Sequence, residues 1–226
     1  MKKLLPLLLF FPTLTLAGVF FDGFEEYYAT LSGRLFTGET VELNVHSVVG
    51  NNYFSWNGTL EGRKRYIEVK VDEHDNLSFT IDNHSFKSEQ VKKFPGEEIG
   101  YSDFGQGTVA YFASGWICLE NTPHTASGTS VRRKSIYLMQ LPKGRKPQAW
   151  KLPSLFGSCT GIRMQGGQIK FDKIEYRSQK DQDAPTGVSF HEYTIQGEDF
   201  VRTRRARRDA TFVEPGNVYK FSLDEQ

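Results

Sequence analysis

Two kinds of apolar pattern run through this chain. The first is strict alternation. Ile67, Val69 and Val71 alternate with Tyr66, Glu68 and Lys70, and Leu77, Phe79 and Ile81 alternate with Ser78 and Thr80. A period of two belongs to a strand with one face in a core. The polar run Asp72-Glu73-His74-Asp75-Asn76 joins the two as a hairpin. Their shared apolar face needs a cover, so a sheet or barrel follows. Val41, Leu43 and Val45 alternate in the same way with Glu42, Asn44 and His46. Gly50-Asn51-Asn52 then turns the chain into a strand that starts at Tyr53 and ends at Asn57-Gly58.

The second pattern is the short continuous apolar run. Val109 to Phe112, Trp116 to Leu119 and Ile136 to Leu141 read as buried strands. Two further hairpins carry turn chemistry. Ile162-Arg163-Met164 pairs with Ile169 to Tyr176 across Gln165-Gly166-Gly167, since adjacent glycines suit mirror-image turns. Val188 to Ile195 pairs with Phe200 to Arg202 across Gln196-Gly197-Glu198-Asp199. A strand is expected from Tyr27, a single helical turn over Leu152 to Phe156, and a last strand over Val218 to Phe221. Residues 87–107 are polar and rich in turns, and offer either a boundary between lobes or a long surface loop.

The expected fold is therefore all-β and mainly antiparallel, a β-sandwich or barrel-like, with at most one or two short helices. It is either one domain over 18–226 or two small lobes, an N-terminal one at 18–98 and a C-terminal one at 107–226.

The start of the chain changes the picture of where this fold works. Lys2 and Lys3 precede an apolar run from Leu4 to Leu16, and Thr15-Leu16-Ala17 is a small-x-small cleavage signal. Residues 1–17 read as a signal peptide, and the compact lysine–leucine form leans bacterial, so the destination is periplasmic or secreted. The run is too short to span a bilayer and is broken by Pro6 and Pro12, so no membrane span is expected after cleavage. Losing two lysines and no acid takes the formal charge from +1 to −1. A near-neutral exported chain gives no electrostatic reason to bind nucleic acid.

Export also governs the cysteines. Cys118 and Cys159 are an even pair in an oxidising compartment, and a disulfide is expected. Closing that loop stabilises by about 3–4 kcal/mol in the chain-entropy picture. The competing reading is a nucleophile at Cys159, because Gly157-Ser158-Cys159-Thr160-Gly161 has the spacing of a nucleophile elbow, with Asp172, Asp181 or Asp183 and His191 following in hydrolase order. Pro153, Gly157 and Gly166-Gly167 deny that motif its strand and helix.

The histidines show no local zinc spacing, and Asp72, Asp75 and Asn76 read as a solvated turn, so neither metal nor cofactor is expected. Arg202, Arg204, Arg205, Arg207 and Arg208 are the densest charge, a candidate patch for an acidic partner or anionic glycan, offset by Glu198, Asp199 and Asp209. Those arginines fall on both parities, so one strand cannot aim all of them one way. Trp56 and Trp150 have polar neighbours and are the exposed candidates for stacking on a sugar, whereas Trp116 belongs to a core. The expectation for function is a non-enzymatic protein of the bacterial envelope that binds a periplasmic or secreted protein, as an inhibitor or immunity-type factor. Loops 121–130 and 196–210 would supply the contacts. A glycan-binding or structural module and an exported cysteine hydrolase are the alternatives.

Overall fold

The computed structural model describes residues 19–60, 62–74, 76–122, 132–141, 146–180, 183–203 and 207–224. In chain order the elements begin with β1 (Phe20–Phe21), α1 (Phe24–Ala29), β2 (Thr40–Glu42), β3 (Asn44–Val48), β4 (Asn51–Leu60), β5 (Arg63–Val71), β6 (Leu77–Ile81), β7 (His84–Lys87) and β8 (Val91–Lys93). They continue with β9 (Val109–Ala113), β10 (Trp116–Asn121), β11 (Ser135–Gln140), β12 (Gln148–Lys151) and β13 (Arg163–Gln165). The last are β14 (Gln168–Arg177), β15 (Gly187–Gln196), β16 (Asp199–Arg202), β17 (Arg208–Phe212) and β18 (Phe221–Leu223). The expected all-β, mainly antiparallel fold is what forms. A five-stranded sheet runs β3-β4-β5-β6-β7 and a six-stranded sheet runs β2-β9-β10-β11-β12-β8. A seven-stranded sheet runs β1-β18-β17-β15-β14-β13, with β16 added beside β15. The β8–β12 pair is parallel.

The two apolar patterns map onto two kinds of sheet. In the β5–β6 hairpin Ile67 pairs Ile81, Val69 pairs Phe79 and Val71 pairs Leu77, and all six are buried on one face. The six-stranded sheet lies in the middle and is covered on both faces, which is why its strands read as continuous apolar runs. Ile117, Leu119, Tyr137, Met139 and Ala149 enter the core shared with the five-stranded sheet. The alternate residues Cys118, Ile136, Leu138 and Trp150 enter a core shared with Ile169 and Phe171 of the seven-stranded sheet. The other face of the seven-stranded sheet, with Ile174, Val188 and Phe190, packs on α1.

Pairing also crosses between the N-terminal and C-terminal halves. β1 joins β18, β2 joins β9 and β8 joins β12. The apolar alternation of 41–45 is split between sheets at Leu43, whose N–H donates to the Thr108 carbonyl at 2.8 Å. The 87–107 passage is less of a surface loop than its polarity implies, because Val91, Phe94 and Phe104 are buried. It is held by a buried ion pair. Lys151 Nζ lies 2.6 Å from Asp103, which also accepts from Ser135 Oγ at 2.7 Å and Tyr137 Oη at 2.5 Å. Lys151 donates to the Glu98 carbonyl as well.

Several local expectations are corrected. Residues from Tyr27 form a helix, not a strand, because Phe24, Tyr27 and Tyr28 at i, i+3 and i+4 bury one face against the seven-stranded sheet. Leu152 to Phe156 makes no helical turn. Leu155 bridges Arg133, and the turn falls instead at Cys159–Gly161, capped by Ser158 Oγ accepting from the Thr160 N–H. Strand β4 continues through Gly58 to Leu60, where it pairs with Arg65 to Arg63 of β5, and the Trp56 indole fills the space that a Cβ at Gly58 would need. The last strand is Phe221–Leu223, with Val218 buried before it.

Candidate functional site

Cys118 and Cys159 are joined, their Cα atoms 5.9 Å apart and both side chains fully buried. The Cys159 sulfur is thereby committed, and no nucleophilic thiol stands in the glycine-flanked motif. Its would-be partners are engaged elsewhere. Asp172 accepts from Arg163 at 2.8 Å and Arg208 at 2.9 Å. Arg202 Nη2 donates to His191 Nδ1 at 2.7 Å, which leaves Nε2 to carry the ring proton toward Glu175, 3.1 Å away.

The turn that holds Cys159 is anchored a second time by a carboxylate. Glu120, at the end of β10, is buried and accepts from the Cys159 N–H at 2.8 Å and Ser158 Oγ at 3.0 Å. Its other oxygen accepts from Lys134 Nζ at 2.7 Å. Lys134 also donates to Glu25 at 2.8 Å, and Glu25 accepts from Thr160 Oγ1 at 3.0 Å. Burial opposes the lysine charge, but Glu120 and Glu25 outweigh it and hold Lys134 above the ordinary lysine range. This network ties α1, β10, the disulfide turn and the 132–134 segment into one rigid wall.

Beside that wall is a cleft of about 270 Å³, lined by Asp22, Gly23, Phe24, Glu25, Arg132, Lys134, Phe156 and Tyr219. Its floor is aromatic. Phe24 and Phe156 stack with centroids 4.0 Å apart and planes 10° from parallel. Phe156 is held in the left-handed region at φ 52°, unusual for a bulky residue and costly. Two hydrogen bonds over-determine it: its N–H donates to the Arg132 carbonyl at 2.7 Å, and its carbonyl accepts from Tyr28 Oη at 2.5 Å. Burial, then the Asp172 charge, raise the Tyr28 phenol well above its ordinary value, so it stays a donor. Arg132 gives one Nη to Tyr176 Oη at 3.0 Å, while its buried Nε has no partner among the described residues. Tyr219 stands over the mouth, 62% exposed. The cleft can seat an apolar or aromatic group on Phe24 and Phe156, with an acceptor oxygen toward the guanidinium.

The sequence-derived candidates are placed differently. Trp150 is 1% exposed and stacks on Trp116 at 6.1 Å, so it is no open platform. Its polar neighbours misled: Lys151 is itself buried and paired with Asp103. Trp56 is half-buried against Phe112 and over Gly58. Among the described residues the arginines do not gather. Arg202 turns to His191, the exposed Arg207 pairs with Asp209 at 2.6 Å, and Arg208 points inward to Asp172. Arg204 and Arg205 lie outside the described residues, as do residues 1–17, Asp181 and the 121–130 loop after residue 122. Asp72 caps its own turn, accepting from the His74 and Asn76 N–H groups at 2.9 Å, and Asp75 lies outside the described residues. Among the described residues no cluster of three metal-ligating side chains occurs, and no helix is long and apolar enough to cross a membrane. Phe24, Arg132, Phe156 and Tyr219 were missed because they come from four separate segments with no shared motif.

Compared with known protein families, with curated proteins and with solved structures, the chain matches none of them.

Proposed function

We propose that this chain is an exported, non-enzymatic binding protein of the bacterial cell envelope, which engages a partner protein as an inhibitor or immunity-type factor. The observation that carries the reading is the cleft: a strained, stacked aromatic floor fixed by a disulfide and a carboxylate network. Rigidity of this kind lowers the entropy lost on binding, which suits recognition better than turnover. A partner loop would place an apolar side chain on Phe24 and Phe156, and an acidic or carbonyl oxygen toward Arg132. The buried Cys118–Cys159 bond supports a periplasmic or secreted location, since such bonds persist in oxidising compartments. Of the two tryptophans offered for the glycan alternative, Trp150 is buried.

The test is capture from the native envelope fraction with the mature chain and with Tyr219→Ala and Arg132→Gln. The expected result is an exported protein retained by the native chain and weakened at least about tenfold by either substitution, the value of one hot-spot contact. Retention indifferent to both substitutions would remove the cleft from the reading. N-terminal sequencing of the exported product checks the location, with Gly18 expected first.

A further inference from the structure

Among the described edge strands, β3 is the longest that carries no charged side chain. Edge strands offer unpaired backbone groups, and proteins blunt them with charge, proline or bulges. Here β7 carries Lys87, β2 carries Glu42, β8 carries Lys92 and Lys93, and β16 carries Asp199 and Arg202; β13 is covered by a bridge from Arg34 to Arg163, and β1, Phe20–Phe21, is uncharged but only two residues long. Strand β3 reads Asn-Val-His-Ser-Val, and no Asp, Glu, Lys or Arg occurs from Leu43 to Leu60. All five β3 residues are exposed. Val45 is 45% exposed, Val48 58% and Val49 98%. Among the described residues nothing pairs with this edge.

We infer that β3 pairs antiparallel with β3 of a second copy of this chain. The neutrality is what points to a second copy. A two-fold axis sets the central residue opposite its own copy and the residues flanking it diagonal to theirs, so a charge at the middle of the strand would face a like charge. In a chain this charged, at 24% Asp, Glu, Lys and Arg, this is the one edge strand longer than two residues, among the described residues, that carries none.

The register follows from the hairpin. The β3–β4 connection is the two-residue loop Val49-Gly50, closing on the pair Val48 and Asn51, with Gly50 at φ 74°. A two-residue loop closes on a hydrogen-bonded pair, and alternation then directs Val48, His46 and Asn44 toward β4. The N–H and C=O groups of Val45 and Ser47 are left facing outward. Pairing them with a second copy sets Val45 opposite Ser47 of that copy and places the axis at His46, facing its own equivalent in a close, non-hydrogen-bonded pair. The two five-stranded sheets become one continuous sheet. A five-residue edge sits at the small end of interface sizes, so the dimer is concentration-dependent.

Sedimentation velocity of the mature chain, from low micromolar to the highest soluble concentration, tests the association. The expected result is a coefficient that climbs from monomer toward dimer. Ser47→Pro removes an outward N–H that the monomer does not use, along with one exposed Ser47–Asn52 side-chain hydrogen bond, and should abolish the climb while Ser47→Ala, which loses only that side-chain bond, keeps it. Mild oxidation of His46→Cys should give a disulfide-linked dimer at least about tenfold faster than Val48→Cys, because only the axial position brings its Cβ within disulfide reach of its copy. A native chain that stays monomeric, or equal cross-linking at positions 46 and 48, overturns the inference. Neither result bears on the cleft.

Discussion

Removing the disulfide is the perturbation whose size can be worked most directly. The bond closes a separation of 41 residues, for which the chain-entropy relation gives about 4 kcal/mol at 25 °C. In Cys118→Ala/Cys159→Ala each buried sulfur is also lost, at about 1 kcal/mol each, the scale of a deleted methylene. The double variant should lose about 4–6 kcal/mol, and the chemically reduced native chain about 4, since it keeps the sulfurs. Against a typical total of about 5–15 kcal/mol, that loss takes up most of the stability at the low end of the range and under half at the high end. Glu120 continues to hold the Cys159 N–H and Ser158 Oγ, so the turn keeps its place without the bond. Urea unfolding followed by tryptophan fluorescence measures the loss, Trp150 being buried in the same core. The urea dependence should steepen on reduction, because the unbridged unfolded chain exposes more surface. Both sulfurs are inaccessible in the folded chain. Reduction therefore follows opening, and its rate should level off as reductant increases. A loss under about 1 kcal/mol with an unchanged urea slope would refute the assignment of the bond as the tie of this half of the chain.

Three further outcomes follow from other parts of the structure. Asp172→Ala leaves Arg163, whose side chain is 3% exposed, with Glu192 as its remaining carboxylate, and takes from Arg208 its paired carboxylate. Urea unfolding should show a loss of about 3–5 kcal/mol, and one under about 1 kcal/mol would mean the cluster is wetter than described. Gly187→Ala sets a Cβ 2.1 Å from the Ala210 carbonyl oxygen, where β15 meets β17. It should cost at least about 2 kcal/mol by thermal or urea unfolding, because backbone must move. Burial pushes Glu192 up, but hydrogen bonds from Lys170 and Thr203 and the Arg163 charge bring it below the ordinary glutamate range. Stability from a depressed carboxyl is complete above the unfolded value and lost as pH falls through the folded one. The unfolding free energy should stay level from pH 7 to about 5, then fall by up to about 1.4 kcal/mol per unit for this proton. Glu192→Gln should remove that share of the acid slope, and an identical slope would count against the pairing.

Much of the fold was legible because it is written locally. Alternation at 66–71 and 77–81 placed one hairpin, and Gly166-Gly167 placed another, with both glycines at positive φ. The double burial of the middle sheet explains the unbroken runs at 116–119 and 136–141. The failures are cases where a distant partner decides. Tyr27 and Tyr28 suit a strand by propensity, but the apolar face they share with Phe24 finds Phe190 and Phe221, and that packing selects a helix. Lys151 beside Trp150 signals a surface until Asp103 arrives from 48 residues away. The parallel β8–β12 pair leaves no turn signal at all. The cleft is harder still, since its floor depends on a left-handed Phe156 that no single-residue preference anticipates.

The two binding surfaces inferred here lie on different sides of the middle sheet, and that arrangement has a consequence. The cleft is built from α1, the 132–134 segment, Phe156 and Tyr219, and its floor belongs to the core on the outer face of the seven-stranded sheet. Strand β3 belongs to the five-stranded sheet, packed on the opposite face. Coupling between them would need an element with two arrangements, and the connecting sheet is close-packed on both faces. Dimerisation through β3 should therefore leave the cleft's intrinsic affinity unchanged, within about twofold. Its effect should appear only as avidity, when the captured partner is itself multivalent or fixed to a surface. Comparing the native chain with Ser47→Pro separates the two. Equal affinity for the captured partner in solution, with slower release by the native chain from a densely coated surface, is the expected pair of results. A solution affinity that changed with Ser47→Pro would show that the two surfaces communicate and that the middle sheet is less rigid than its packing implies.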